Sequence, residues 1–373
     1  MNFFVTGVTG NVGSAILHRL LATTDAQVWV LIRAADAEKL RARLDDVFRL
    51  WGPQALDNTA WRGRVHAVAG DMGLPNFGMS DADWQAVVAA CSYIVHAAGV
   101  VRMNLPLDEA RQHAVGSARN VIALAEGVTA QGRDASVAFV STVGVAGNMV
   151  GSLTDSWVTE PRTFHNTYEQ AKAEAEDLLR TWQRPATVHL TVHRPSMVVG
   201  ASDGDILRHQ IFFYLCEFLS GRHTKGLQPA LAGACLDTVP VDYVADAVAW
   251  AVQSRAVDGR IFNLCSGSDM EVELTRVQQW TRDALRRNRD ARLPSIRQLP
   301  AGLFMLIMRM VTLTAPADVK RRMNTLPMLL EYLKSPQTFD GRSTRHFLQS
   351  QAAIELPAAE AYLPGIIDSY FPK

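Results

Sequence analysis

Cysteine is scarce: the 373-residue chain has four, Cys91, Cys216, Cys235 and Cys265. They are widely separated and show no C-x-x-C spacing. That pattern argues against a disulfide framework or a zinc site, and reads as free thiols in a reducing compartment. Excess charge is also missing, since Lys+Arg 37 balances Asp+Glu 37. No net field then favours nucleic acid or an anionic membrane surface. Long apolar runs are absent too. The strongest, Leu303 to Leu313, is about half the ~20 residues a membrane span requires, and Arg309 interrupts it. Its methionines suit a surface facing flexible apolar ligands, or simply a buried helix. An apolar strand pattern already starts at residue 2, leaving no room for a secretory signal, so a cytoplasmic location is expected. Tandem repeats and low-complexity tracts do not occur. What is plentiful is hydrophobic sequence, 48% of residues, enough for a large core and two lobes.

The most informative stretch is Asn2-Phe3-Phe4-Val5-Thr6-Gly7-Val8-Thr9-Gly10-Asn11-Val12-Gly13. Phe3 to Val5 reads as a buried strand, and a helical pattern follows from Ser14 to Ala22. Glycines between a strand and a helix permit the sharp turn, a close backbone approach and tight helix packing. Free N–H groups and the dipole at the helix start attract phosphates. Gly7, Thr9, Gly10, Asn11, Val12 and Gly13 are therefore expected to hold a dinucleotide pyrophosphate.

The second strand, Val28 to Ile32, ends in Arg33, and no acid closes it; Asp36 comes three residues later. A fold that prefers NAD usually has an acid at this point for the ribose 2′-hydroxyl. An arginine suits the 2′-phosphate of NADP, so NADP(H) is the expected cofactor. The third strand, Val65 to Ala69, leads to Asp71 and Met72. Asp71 either accepts from an adenine amino group or caps the next turn. The fourth strand, from Tyr93, ends in the small residues Ala97, Ala98 and Gly99, against which a cofactor could lie. His96 is read as a packed strand residue.

A helix from about Pro106 to Gly127, a fifth strand from Ser136 to Val140, a helix opening near Tyr168 and a sixth strand from Val188 complete the alternation. Such alternation means an α/β fold with a doubly wound parallel sheet, whose ligands bind beyond the carboxyl ends of the strands. Thr142 and the run Pro195-Ser196-Met197 fall at those ends. Past Gly200 the repetition breaks. Residues 1–200 with about 239–265 read as the dinucleotide-binding domain. Residues 201–238 and 266–373 read as a smaller, mostly helical substrate lobe.

Tyr168 and Lys172 are four apart, on one helical face. A phenol titrates near ~10, too high for easy proton transfer at neutral pH. A neighbouring ammonium is expected to lower it and to hold the nicotinamide ribose. Thr142 can donate its hydroxyl to a substrate carbonyl oxygen.

With these residues in place, the chain resembles the extended short-chain dehydrogenase/reductases, a Rossmann-fold group. The resemblance rests on Thr6-Gly7-x-x-Gly10-x-x-Gly13, His96-Ala-Ala-Gly99, Ser141-Thr142 with Gly147, Tyr168-x-x-x-Lys172 and Arg194-Pro195-Ser196. Leu31-Ile-Arg33-Ala34, Val239-Pro-Val-Asp-Tyr-Val244 and Phe339-Asp-Gly-Arg342 make it look most like the thioester reductase and fatty acyl-CoA reductase branch. The resemblance implies NADPH-dependent reduction with Thr142, Tyr168 and Lys172 in the catalytic positions, and no metal. His113 stands where the family commonly has an asparagine, which puts the family's proton relay in question. The resemblance also implies an acyl thioester substrate, carried on coenzyme A or a separate carrier protein, and either a monomer or a homodimer. On that reading Phe212 to Phe218 and Phe304 to Val311 are candidates for an acyl-chain tunnel, core packing being the alternative. Arg208, Lys320, Arg321 and Arg322 are candidates for meeting a phosphopantetheine or an acidic carrier, a solvated face being theirs. Ketone reduction or sugar epimerisation on the same framework is the rival reading. A non-catalytic NADP-binding sensor is a more distant one.

Overall fold

Phe3, Phe4 and Val5 have no exposed surface, as befits a strand covered on both faces. They belong to β1 (Asn2–Thr6) of a computed structural model, which describes residues 1–208, 211–231, 233–289, 292–314 and 338–373. Then come α1 (Asn11–Thr23), β2 (Gln27–Ile32), α2 (Ala37–Arg49), β3 (Val65–Ala69), α3 (Asp81–Ala90) and β4 (Tyr93–His96). The chain continues through α4 (Leu107–Ala130), β5 (Ala135–Val140), α5 (Thr167–Thr181), β6 (Val188–Pro195), α6 (Val241–Gln253), β7 (Ile261–Leu264) and α7 (Arg342–Ala352). Other short elements are cited by residue.

The seven strands form one sheet in the order β7-β6-β5-β4-β1-β2-β3. Every pairing is parallel, with Thr6 of β1 opposite Leu31 on one side and His96 on the other. The chain runs outward from β1 to β3, then crosses back to β4. That reversal opens a crevice beyond the carboxyl ends of β1 and β4, where such sheets bind ligands. Phe4, Ile94, Val137 and Leu190 pack in a core with Val87 of α3, Val121 and Leu124 of α4 and Leu179 of α5. Arg111 of α4 adds a bidentate pair to Glu174 of α5, at 2.7 and 2.8 Å.

The described chain divides into two units. The first comprises Met1–Val198, Val239–Cys265 and Phe339–Leu356; the second comprises Val199–Thr238, Ser266–Thr338 and Pro357–Lys373. Assigning all of 266–373 to the substrate lobe therefore needs correction at Phe339–Leu356. The Asp340 N–H donates to the Leu153 carbonyl at 2.8 Å, and Thr344 Oγ1 donates to Asp155 at 2.9 Å. The Phe347 ring meets Phe262 of β7. These bonds join residues nearly two hundred positions apart, which periodicity does not register.

In the second unit the helix Ile211–Leu219 buries Phe212 against Tyr370, with ring centroids 6.1 Å apart. Phe304 is buried against Phe218 at 6.1 Å. Both have the ordinary core role that was the alternative to an acyl tunnel. Lys320, Arg321 and Arg322 lie outside the described residues. Among the described residues, no helix is long and apolar enough to cross a membrane, and no cluster of metal-ligating side chains occurs.

Candidate active site

The turn after β1 is shaped by two glycines. Gly7 has φ +81°, and a Cβ there would lie 2.5 Å from the carbonyl carbon of Ala97. A Cβ on Gly13 would overlap the Gly7 carbonyl. The Gly10 N–H closes the turn onto the Gly7 carbonyl at 2.8 Å. Gly10 is the N-cap of α1, without a side-chain cap, and no acid sits in the first turn. The first-turn amides of a helix have no intrahelical acceptor. Thr9, Gly10, Asn11 and Val12 are all at least partly exposed along it. An uncapped helix start on glycines pressed against backbone fits a pyrophosphate.

At the end of β2, the Arg33 guanidinium lies 3.8 Å from Asp71 Oδ2, and its side chain is 62% exposed. Asp71 Oδ1 also accepts from the Gly73 N–H at 3.0 Å, so the turn-capping role is present in the structure. The Met72 side chain packs on the core. Sequence reasoning passed over Arg43. From α2 its Nη1 donates to the Arg33 carbonyl at 2.5 Å, putting a second guanidinium at the same strand end. Arg43 lies nearly two turns into α2, where spacing alone does not tie it to the strand end.

Ala97 and Ala98 follow β4, and the Ala98 N–H donates to Thr6 Oγ1 at 3.2 Å. His96 is fully buried, with Nδ1 2.9 Å from Thr6 Oγ1. Burial, with a smaller push from the Lys172 charge, lowers its pKa to about 3. It stays neutral, in keeping with a packed residue. His113, at the position of the family asparagine, stands over Gly73 with Nε2 3.9 Å from Glu109.

Thr142 ends β5 as the N-cap of the turn Val143–Ala146, its Oγ1 accepting from the Gly144 N–H at 3.1 Å. Tyr168 and Lys172 sit in the first turns of α5. Asn166 caps that helix by accepting from the Glu169 N–H at 3.0 Å. The buried Glu169 carboxylate accepts from the His165 N–H at 3.0 Å and lies 3.0 Å from His165 Nδ1. The sequence reading did not single out this pair either. Lys172 is 5% exposed; its Nζ donates to the Val140 carbonyl at 2.8 Å and sits 5.1 Å over the Phe139 ring.

Electrostatics in the site run against one expectation. Tyr168 as a residue is half-buried, yet burial pushes its phenol up to about 12. The Thr142 side chain pulls it down by less, and Glu169 adds a smaller push upward. Lys172 falls to about 8, mainly through burial, with Glu176 opposing. The ammonium therefore does not bring the phenol into the neutral range; Tyr168 is held protonated. A protonated phenol is a hydrogen-bond donor.

Past β6, the Ser196 N–H donates to the Leu264 carbonyl at 3.0 Å. Its buried Oγ has no partner among the described residues. Pro195 ends the strand and Met197 is part-exposed. An orphaned hydroxyl at a strand's carboxyl end fits a ligand at that edge.

Known proteins resemble the chain in sequence and in fold. A relative is the L-2-aminoadipate reductase of Saccharomyces cerevisiae, 30% identical over 267 residues, covering 66% of this chain and 18% of that protein. The terminal R domain from the myxalamid PKS-NRPS biosynthetic pathway superposes with a TM-score of 0.79 at 24% identity, covering 99% of this chain and 89% of that one. A thiolation-reductase di-domain from an archaeal non-ribosomal peptide synthetase gives a TM-score of 0.73 at 18% identity, covering 98% and 74%. At these identities the two structures show the fold. The chain spans about a fifth to a quarter of the first curated relatives it matches. The model of the NAD-binding family described as male sterility protein matches residues 5–248. The chain belongs to that family, within the thioester reductase branch of the extended short-chain dehydrogenase/reductases, a group of nicotinamide-dependent oxidoreductases.

Proposed function

We propose that the chain is an NADPH-dependent reductase of acyl thioesters that releases an aldehyde. The observation that carries the reading is Lys172, buried one helical turn beyond Tyr168 on α5 and bonded at 2.8 Å to the Val140 carbonyl, at the end of the strand that leads to Thr142. When bound, the dihydronicotinamide supplies the hydride that reaches the carbonyl carbon. Thr142 and Tyr168 donate to the carbonyl oxygen and share the charge that develops there. Because Tyr168 is held protonated, it gives up its proton to that oxygen as a general acid. The Lys172 ammonium offsets the phenolate that remains and orients the ribose. The resulting hemithioacetal collapses to aldehyde and free thiol. A second reduction, to the alcohol, follows only where the aldehyde stays bound.

Gly7, Gly10, Asn11, Val12 and Gly13 would hold the pyrophosphate, and Arg33 with Arg43 the 2′-phosphate. Asp71 and Met72 would lie on the adenine side. Ala97, Ala98, Gly99, Pro195, Ser196 and Met197 would border the nicotinamide half. The thioester would arrive on coenzyme A or on a carrier protein, in a cytoplasmic setting. The names of the relatives, an aminoadipate reductase and a thiolation-reductase di-domain, support a thioester.

The test is NADPH oxidation at 340 nm with acyl-CoAs, carrier-bound acyl groups and matching ketones, beside Tyr168→Phe. Thioester turnover with thiol release, lowered on the order of 10²–10⁴-fold by the substitution, supports the reading. Turnover of ketones alone moves the enzyme to ketone reduction.

A further inference from the structure

The loop from Asp71 to Leu74 leaves the sheet just beyond β3 and carries two residues of the proposed adenine side. Its main support comes from the middle of α4. Asn120, 6% exposed, donates from Nδ2 to the Met72 carbonyl at 2.9 Å and to the Leu74 carbonyl at 2.7 Å. Two carbonyl acceptors fix which end of the amide faces the loop, because the amide oxygen would only repel them. One turn earlier, a Cβ on Gly116 would lie 3.6 Å from the Gly73 carbonyl oxygen. Another turn earlier, His113 Nδ1 lies 3.2 Å from where a Gly73 Cβ would be. Positions 113, 116 and 120 share one face of a helix. That face forms a cradle with one double donor, whose two hydrogen bonds to the loop both go to backbone carbonyls.

The structure assigns Asn120 as a positioning residue for the adenosine half of the cofactor, acting through the Asp71–Leu74 loop; the assignment rests on the dinucleotide reading above. Of the proposed ligand contacts Asn120 bonds only to Met72, at its backbone carbonyl. Its two bonds fix the backbone on which Asp71 faces Arg33. Replacing the donor by an acceptor sets like dipoles against each other at two buried carbonyls. The loop then shifts, and the adenosine end of the ligand loses its seat.

The test uses the full chain and half-cofactors. Affinities for NADPH, adenosine 2′,5′-bisphosphate and reduced nicotinamide mononucleotide are measured by calorimetry for wild type and Asn120→Asp, with thermal melts alongside. Asn120→Ser, which keeps a single donor, takes its place if the first variant does not fold. The expected result is at least a tenfold loss for NADPH and the bisphosphate, with the mononucleotide unchanged within twofold. Equal losses for both half-cofactors, or a lower Tm with all affinities intact, would overturn the assignment and leave Asn120 purely structural. A wild-type chain that binds no dinucleotide would overturn the cofactor reading together with it.

Discussion

Lys172 donates from Nζ to the carbonyl oxygen of Val140 at 2.8 Å, and Val140 is the last residue of the strand that delivers Thr142. The helix that carries Tyr168 is thereby pinned, through the Lys172 ammonium, to the strand that leads to Thr142. Burial lowers that ammonium to about 8, so it is charged at neutral pH and lost above it. The phenol, at about 12, keeps its proton across the same range. The alkaline limb of NADPH affinity therefore belongs to Lys172. Affinity should fall about tenfold per pH unit above ~8, and Lys172→Met should give a weak, flat profile. A limb that persists in Lys172→Met would assign it elsewhere.

The same group has a consequence for folding. An unfolded lysine keeps its proton to about 10.5, whereas the folded one loses it near 8. Between those values the unfolded chain binds more protons, so Lys172 makes stability rise with pH. Urea melts at pH 8 and pH 10 should show this rise in wild type, and a smaller one in Lys172→Met.

The two guanidiniums at the end of β2 predict cofactor choice. Arg33 is largely exposed and loosely paired with Asp71 at 3.8 Å, so it is available to an anion; Arg43 is anchored on the Arg33 carbonyl. A charge-assisted bond to a phosphate is worth about 1.5–3 kcal/mol. Arg33→Ala should raise the KM for NADPH roughly 10- to 100-fold and leave that for NADH almost unchanged. Arg43→Ala should act in the same direction. Equal effects on both cofactors would remove the 2′-phosphate from this corner.

The glycine turn separates two substitutions that look alike in sequence. A Cβ at Gly10 would stand 3.2 Å from the Gly7 carbonyl oxygen, which a small shift relieves. At Gly13 it would overlap backbone on both Gly7 and Val8. Gly13→Ala should cost about 2–3 kcal/mol in urea denaturation, and Gly10→Ala clearly less. Similar losses at both would mean that the turn relaxes as a unit.

The parallel sheet could be read from the sequence because its signals are local. Continuous runs such as Phe3 to Val5 mark strands buried on both faces, and the spacing of Tyr168 and Lys172 marks a helix. Arg43 and Asn120 were not legible, since an arginine or asparagine on a helix acquires meaning only from the loop opposite. The phenol at Tyr168 was misjudged for a related reason. Spacing gives the distance to a charge but not the depth of burial, and burial dominates there. The return of Phe339–Leu356 to the first unit depends on Asp155, Asn263 and Thr344 meeting across the chain.

Arg194 and Glu176 supply the sharpest test of what holds the end of β6 in place. Arg194 has no exposed surface and Glu176 is 4% exposed. The guanidinium donates to the carboxylate from Nε at 3.0 and 3.1 Å and from Nη2 at 2.5 Å. Its remaining Nη1 donates to the carbonyls of Ser156 at 2.9 Å and Thr154 at 3.3 Å. The pair thus ties α5, four residues beyond Lys172, to the strand that carries Pro195 and Ser196. Desolvating both charges costs about as much as their attraction returns, but losing one partner strands the other. Glu176→Gln keeps the shape and removes the charge, and should lower stability by about 3–5 kcal/mol. Arg194→Met with Glu176→Leu together should cost less than either single change, because no charge is left buried. Equilibrium urea denaturation of wild type, Arg194→Met, Glu176→Leu and the double variant closes the cycle. Additive losses would show that the two side chains act independently and that the ion pair is not what fixes this end of the strand.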